Sequence, residues 1–149
     1  MASRVSTFIQ IVSAWPHISV HPHQFEAQEF CFDKAEVGHV HLWGTVDIPF
    51  PRAIRDVLLE EHLAEKHRWV PDSGWITFRI RNDKDLEHAL WLMRLSYLRY
   101  ALKSDSNPLA LLEQQIEQLH LNPELATLLA QFVPARTRDA NLVSTRDAG

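Results

Sequence analysis

Residues 36–43, Glu-Val-Gly-His-Val-His-Leu-Trp, constrain the fold most, because extended-chain residues alternate there with imidazoles. Successive side chains of a strand point to opposite faces. His39 and His41 therefore emerge together, with Val37 and Trp43 beside them, while Val40 and Leu42 point the other way. A sheet that keeps two imidazoles and an indole on one face buries only the other face against helices. Function is to be sought on the first.

The alternation recurs over residues 75–81, with Ile76, Phe78 and Ile80 on one side and Trp75, Thr77, Arg79 and Arg81 on the other. Residues 18–23 and 24–32 also read as extended, the apolar phase shifting between Ala27 and Phe30 as at a bulge, and residues 36–48 complete the run of strands. Val5, Phe8, Ile9 and Val12 fall at helical spacing and stop before Trp15-Pro16. Pro51 opens a helix carrying Ile54, Val57 and Leu58 that runs to about Lys66, and Pro71 to Gly74 form a turn. Asn82 caps a longer helix, with Asp83 and Asp85 in its positive first turn and a stripe of Leu86, Ala89, Leu90, Met93 and Tyr97. Beyond Lys103, Asn107-Pro108 and Asn122-Pro123 start two leucine-rich helices, and from Pro134 there is almost nothing to bury. The pattern predicts an α+β fold: a single antiparallel sheet with helices packed on one face, plus a helical C-terminal extension. Its expected parts are a main domain over residues 1–103, an extension packed on it over 104–133, and a mobile tail over 134–149.

A chain of 149 residues, 46% of them hydrophobic, suffices for one buried core. A formal charge of -4 without a Lys/Arg stripe argues against nucleic acid as a partner. No run reaches the roughly 18 apolar residues of a membrane span, so no membrane partner is expected. The first dozen residues lack the apolar core of a signal peptide, and Cys31 stands alone, which rules out an internal disulfide. A cytoplasmic location is the expectation.

Several motifs together resemble a known family. They are Lys34-x-Glu36-x-x-His39-x-His41, Asp47-Ile48-Pro49-Phe50-Pro51, His67 after the first long helix, Ser73-Gly74-Trp75 leading into a strand, and Arg81-Asn82 before an acidic helix start ending near Ser96-Tyr97. Over roughly half the chain this pattern resembles the luciferase-like domain of bacterial "luciferase family" proteins, and more distantly the catalytic region of the fungal luciferase. For the fungal branch the resemblance implies oxidation of a hydroxylated pyrone by molecular oxygen without a known metal or organic cofactor. Fold kinship does not carry chemistry by itself, so the residues are weighed directly.

Imidazole titrates near neutrality, so His39, His41 and His67 are candidate catalytic groups that take a proton from an enolic hydroxyl or hold the resulting enolate. Trp43, Trp75 and Trp69 offer flat walls, and Arg79 or Arg81 would stabilise negative charge. No cofactor is expected. Zinc or iron stays open as a second reading, because Glu36, His39, His41 and His67 supply nitrogen and oxygen donors. On a regular strand Glu36 faces away from His39, so it joins them only through a bulge. Bland readings stand beside these: strand histidines on a solvated face, outward arginines, His21 and His23 as loop residues, Cys31 and Met93 as packing, and Asp47 as a shaper of the junction after its strand, or as an orienter of a histidine. The expected function is small-molecule binding, with cofactor-independent oxygenation implied by the resemblance. The alternative is a non-catalytic interaction module or homodimer formed through the Trp-rich face and the leucine-rich helices.

Overall fold

The computed structural model describes residues 3–135 and 137. Six strands form one antiparallel sheet in the order β1-β2-β3-β4-β6-β5: β1 Ile18–His23, β2 Ala27–Phe32, β3 Ala35–His41, β4 Thr45–Pro49, β5 Glu65–Lys66 and β6 Trp75–Arg79. The helices are α1 Arg4–Ser13, α2 Arg52–Glu60, α3 Asp83–Ser104, α4 Pro108–Leu119 and α5 Pro123–Ala130. This is the α+β architecture expected from the periodicities. The chain divides into two compact units, residues 1–97 and 98–149. No helix among the described residues is long and apolar enough to cross a membrane.

Directly opposed residues in antiparallel strands project from the same face, which lets the register sort the side chains. One row runs across all six strands: His21, Glu29, His39, Asp47, Thr77 and Glu65. The opposite face carries Phe30, Val40, Val46, Ile48 and Ile76, all buried. Helices cover that apolar face. Phe8 of α1 meets Phe30 edge-on at 5.8 Å, and Ile54, Val57 and Leu58 of α2 are buried. Each such side chain removed from water contributes about 1.5–3 kcal/mol.

The register of β2 on β3 shifts between Phe30 and Cys31: Phe30 faces Gly38, but Cys31 faces Glu36, so Val37 is the extra residue of a bulge. Two features of α3 fix it. Ser96 donates a hydrogen bond to the Val37 carbonyl at 2.7 Å, and Met93 lies so close to Gly38 that a Cβ there would sit 2.7 Å from its terminal methyl. The bulge turns Glu36 onto the face that carries His39.

The helix starts follow their caps. Asn82, Asn107 and Asn122 accept from the backbone amides of Asp85, Ala110 and Leu125. In the second unit, Leu112, Leu125 and Leu129 are buried and Lys103 lies over the Phe132 ring at 5.3 Å. Three expectations need correction. Val37, expected beside His39 and His41, is instead buried in the hydrophobic core as the extra residue of the bulge. The helix opened by Pro51 ends at Glu60, not Lys66, because His62 turns left-handed at φ 57 while Leu63 N donates to Leu58 O and His62 N to Leu59 O. That closure normally signals itself with glycine, and here histidine fills the position. The released chain forms β5. Likewise the strand expected from residue 24 starts at Ala27, because Phe25 and Glu26 take left-handed turn conformations at φ 58 and 53. Most of the tail expected over 134–149 lies outside the described residues.

Candidate functional site

The β3–β4 hairpin turns at Leu42, Trp43 and Gly44 and sets Asp47 directly across from His39. Three imidazoles converge on that carboxylate. Asp47 Oδ2 lies 3.2 Å from His39 Nε2 and 3.0 Å from His41 Nε2, and Oδ1 lies 3.6 Å from His67 Nε2. Thr77 Oγ1 donates to Oδ1 at 2.6 Å. His39, His41 and Asp47 are 7%, 5% and 4% exposed, so the cluster sits beneath the surface.

The outer ring nitrogens are tied down as well. His39 Nδ1 meets Glu36 Oε1 at 2.7 Å, His41 Nδ1 meets the Phe25 carbonyl at 3.2 Å, and Trp69 N donates to His67 Nδ1 at 3.2 Å. The partners assign the protons. A carboxylate and a carbonyl only accept, so Nδ1 of His39 and of His41 each carries a hydrogen. A backbone N–H only donates, so Nδ1 of His67 is bare and its proton is on Nε2, toward Asp47. The unusual turn at Phe25 is what aims its carbonyl at His41.

Charge follows from these bonds. Burial pushes the His39 pKa down, but the hydrogen bonds and charges of Asp47 and Glu36 outweigh it and raise it to about 9. Burial pushes Asp47 up, yet hydrogen bonds from His39 and Thr77, with the charges of His39 and His67, bring it to about 2. Burial likewise acts to raise Glu36, and its bonds to His39 and Glu29 hold it below the usual carboxylate value. Glu29 is raised, by burial first and then by the neighbouring Glu36. Cys31 projects from the same face, and burial followed by the charges of Glu29 and Glu36 pushes its thiol up, away from nucleophilic character.

A cleft of about 410 Å³ reaches the cluster, lined by His41, Asp47, His67, Thr77, Trp43 and Trp69 among others. Aromatic rings crowd the imidazoles: Trp43 stacks on His41 at 4.5 Å with an interplanar angle of 17°, and Trp75 lies 5.5 Å from His39 and 6.1 Å from His67. Trp43 and Trp69 of the cleft lining are exposed, and the exposed Phe25 ring lies 6.4 Å from that of Trp69. Trp43 reaches the imidazoles from the hairpin turn, not from the strand.

The fold thus brings together His39, His41, His67, Trp43 and Trp75, and adds Glu36 on the outer side of His39. Arg79 and Arg81 are elsewhere: they line a second cavity of about 210 Å³ with His62, Leu63, Phe78 and Asp85. The cations lining the larger cleft are Lys66 and Arg68. Asp47 is the residue that sequence reasoning undervalued. A tight Trp-Gly turn after His41 pairs residue 39 with residue 47 by simple counting, and that was the available signal. Thr77 and Glu29 carried none beyond their strand parity.

No curated protein and no solved structure matches the chain. Residues 34–96 match the family model described as Luciferase domain, a span that holds Glu36, His39, His41, Asp47, His67 and Thr77, so the part of the chain that builds the cluster is consistent with a luciferase-like domain family.

Proposed function

We propose that the cleft binds a small, flat, hydroxylated molecule and that the imidazole–Asp47 cluster handles its proton. One observation carries this reading: a buried carboxylate at the meeting point of three imidazoles, opening on a cleft walled by indoles. Buried charge of this kind contributes little to stability for what it costs, and it recurs where chemistry is done. The cluster has two sides. The His41–Asp47 pair takes up a hydroxyl proton, and the Nε2–H of His67 donates to the oxygen left behind.

The reaction that the luciferase-like resemblance suggests is oxidation by molecular oxygen. The hydroxyl proton passes to the basic side, and the enolate carbon forms a bond to O₂. The peroxide anion so formed takes the proton back. The substrate loses two electrons, O₂ gains two, and protons balance. A second reading, in which the exposed Phe25, Trp43 and Trp69 seat a protein partner or a second copy, draws on that apolar surface. It leaves the buried charges without a purpose.

The test is tryptophan fluorescence titration with a 4-hydroxy-2-pyrone, together with an oxygen electrode. Quenching that saturates, with slower oxygen uptake in His67→Ala, is the expected result. Absence of quenching by hydroxypyrones and simple phenols at solubility-limited concentrations would contradict it.

A further inference from the structure

We infer that His39 Nε2, His41 Nε2 and the Asp47 carboxylate form the binding site for one divalent first-row transition-metal ion, iron(II) or zinc in kind. The inference rests on the proposed reading of the cleft and specifies what its basic side holds.

Geometry is the first support. The two histidine nitrogens lie 3.2 and 3.0 Å from the same Asp47 oxygen, and all three donor atoms fall within 4.8 Å of one another. With bonds of about 2.0–2.2 Å, neighbouring donors around one ion are separated by roughly 3.0–3.4 Å, so the short edges need little adjustment. Tautomers are the second. Nδ1 of His39 and His41 are both committed as donors, to Glu36 and to the Phe25 carbonyl, which leaves Nε2 of each ring facing an anionic oxygen. In the ion-free chain protons fill the gaps between these nitrogens and the Asp47 oxygen, and a divalent ion would displace them and take the same lone pairs. A metal-bound histidine characteristically gives its other N–H to a carboxylate or a backbone carbonyl, and both partners are present here.

Donor type and access narrow the ion. Two imidazoles and one carboxylate suit zinc and iron better than magnesium or calcium, which prefer all-oxygen cages. The cleft reaches His41 and Asp47, leaving coordination positions for water or a substrate oxygen. When bound, such an ion ionises a hydroxyl on it near neutral pH. His67 stands outside the set, because its Nδ1 accepts from Trp69 N and its Nε2 carries hydrogen. Glu36 stands outside it too, as the partner that orients His39.

A competing cluster exists. His23, Glu36 and His39 also bring donor atoms within 4.8 Å, and His23 Nδ1 is buried without a hydrogen-bond partner. Two of those residues are only half-buried, and neither His23 nor Glu36 lines the cleft, so the Asp47 cluster is the better supported.

The experiment is calorimetric titration of zinc chloride into the chelator-treated full chain, with the cobalt(II) absorption spectrum of the unmutated protein as a readout independent of any variant. One equivalent of zinc is expected, with a cobalt spectrum of mixed nitrogen and oxygen ligation and no response to magnesium. His41→Ala and Asp47→Asn should each weaken zinc binding by at least about 100-fold, and Glu36→Gln by about 10–100-fold. His23→Ala and His67→Ala should stay within a few-fold, every variant being checked for folding by circular dichroism. Zinc binding unaffected by Asp47→Asn, or abolished by His23→Ala, would overturn the assignment. So would the absence of binding to the unmutated chain. Hydroxypyrone quenching that persists when zinc does not bind would remove the metal and leave the cleft reading standing, whereas zinc binding without quenching would do the reverse.

Discussion

The two faces of β3 are built from adjacent residues on opposite principles. Val37, Gly38 and Val40 point into hydrocarbon, where Met93 fills the space above Gly38 and every neighbour is replaceable by shape. Glu36, His39 and His41 point into a network in which each nitrogen has a named partner. The first face holds the fold together through dispersion and the hydrophobic effect. The second spends stability on placing charge, since isolated removal of one member leaves its partners buried and uncompensated. Substitutions on the two faces should therefore separate stability from binding.

The largest effect belongs to the apolar face. Ile76→Ala, at a fully buried position, should destabilise by about 2–5 kcal/mol in urea unfolding while leaving zinc and hydroxypyrone affinities of the folded protein unchanged. Gly38→Ala comes next, because the new Cβ would meet Met93 and the Asp47 carbonyl at 2.7 and 3.1 Å, on a backbone with φ +155. A loss of about 1–3 kcal/mol is expected, partly recovered by Met93→Ala in the same chain. Ser96→Ala breaks the bond that pins the bulge and leaves the buried Val37 carbonyl short of a donor, a loss of about 1–2 kcal/mol. It should also weaken zinc binding, because the bulge is what carries Glu36 to His39.

How much of this was legible follows from where the information resides. Strand parity is a local property, so the shared face of His39 and His41, and of Trp75 and Thr77, could be read from single stretches. Asn caps and Pro at first turns gave the helix starts for the same reason. The Glu36–His39 bond could not be read that way. It depends on Val37 being the odd residue of a bulge, which is decided by Ser96 and Met93 some 60 residues on. Nor could the placement of Arg79 and Arg81, since parity names a face but not a cavity. The helix end at Glu60 was missed because His62, not glycine, takes the left-handed position. Asp47 was within reach, through the hairpin count.

Two smaller tests sharpen the contrast. In metal-stripped protein the His39 pKa is about 9, raised from its ordinary 6.5, so its contribution is fully present below pH 6.5 and is lost as pH rises through about 9. Thermal stability of the stripped chain should fall across that window, and His39→Gln should flatten the fall. Asp47, lowered to about 2 from 3.8, contributes above pH 3.8 and loses that contribution only as pH drops through about 2. The smallest effect is at the rim. Trp43→Phe, on a side chain 54% exposed, should change unfolding free energy by less than about 0.5 kcal/mol while reducing hydroxypyrone quenching.

Nitrogen-15 NMR of the imidazole side chains in the metal-free protein at neutral pH reads the central arrangement most directly. Both nitrogens of His39 should carry protons, Nδ1 of His41 should be protonated, and His67 should show a bare Nδ1 with its proton on Nε2. Three rings with the same mobile, solvent-averaged signature, or a bare Nδ1 on His41, would contradict the convergence of these side chains on Asp47.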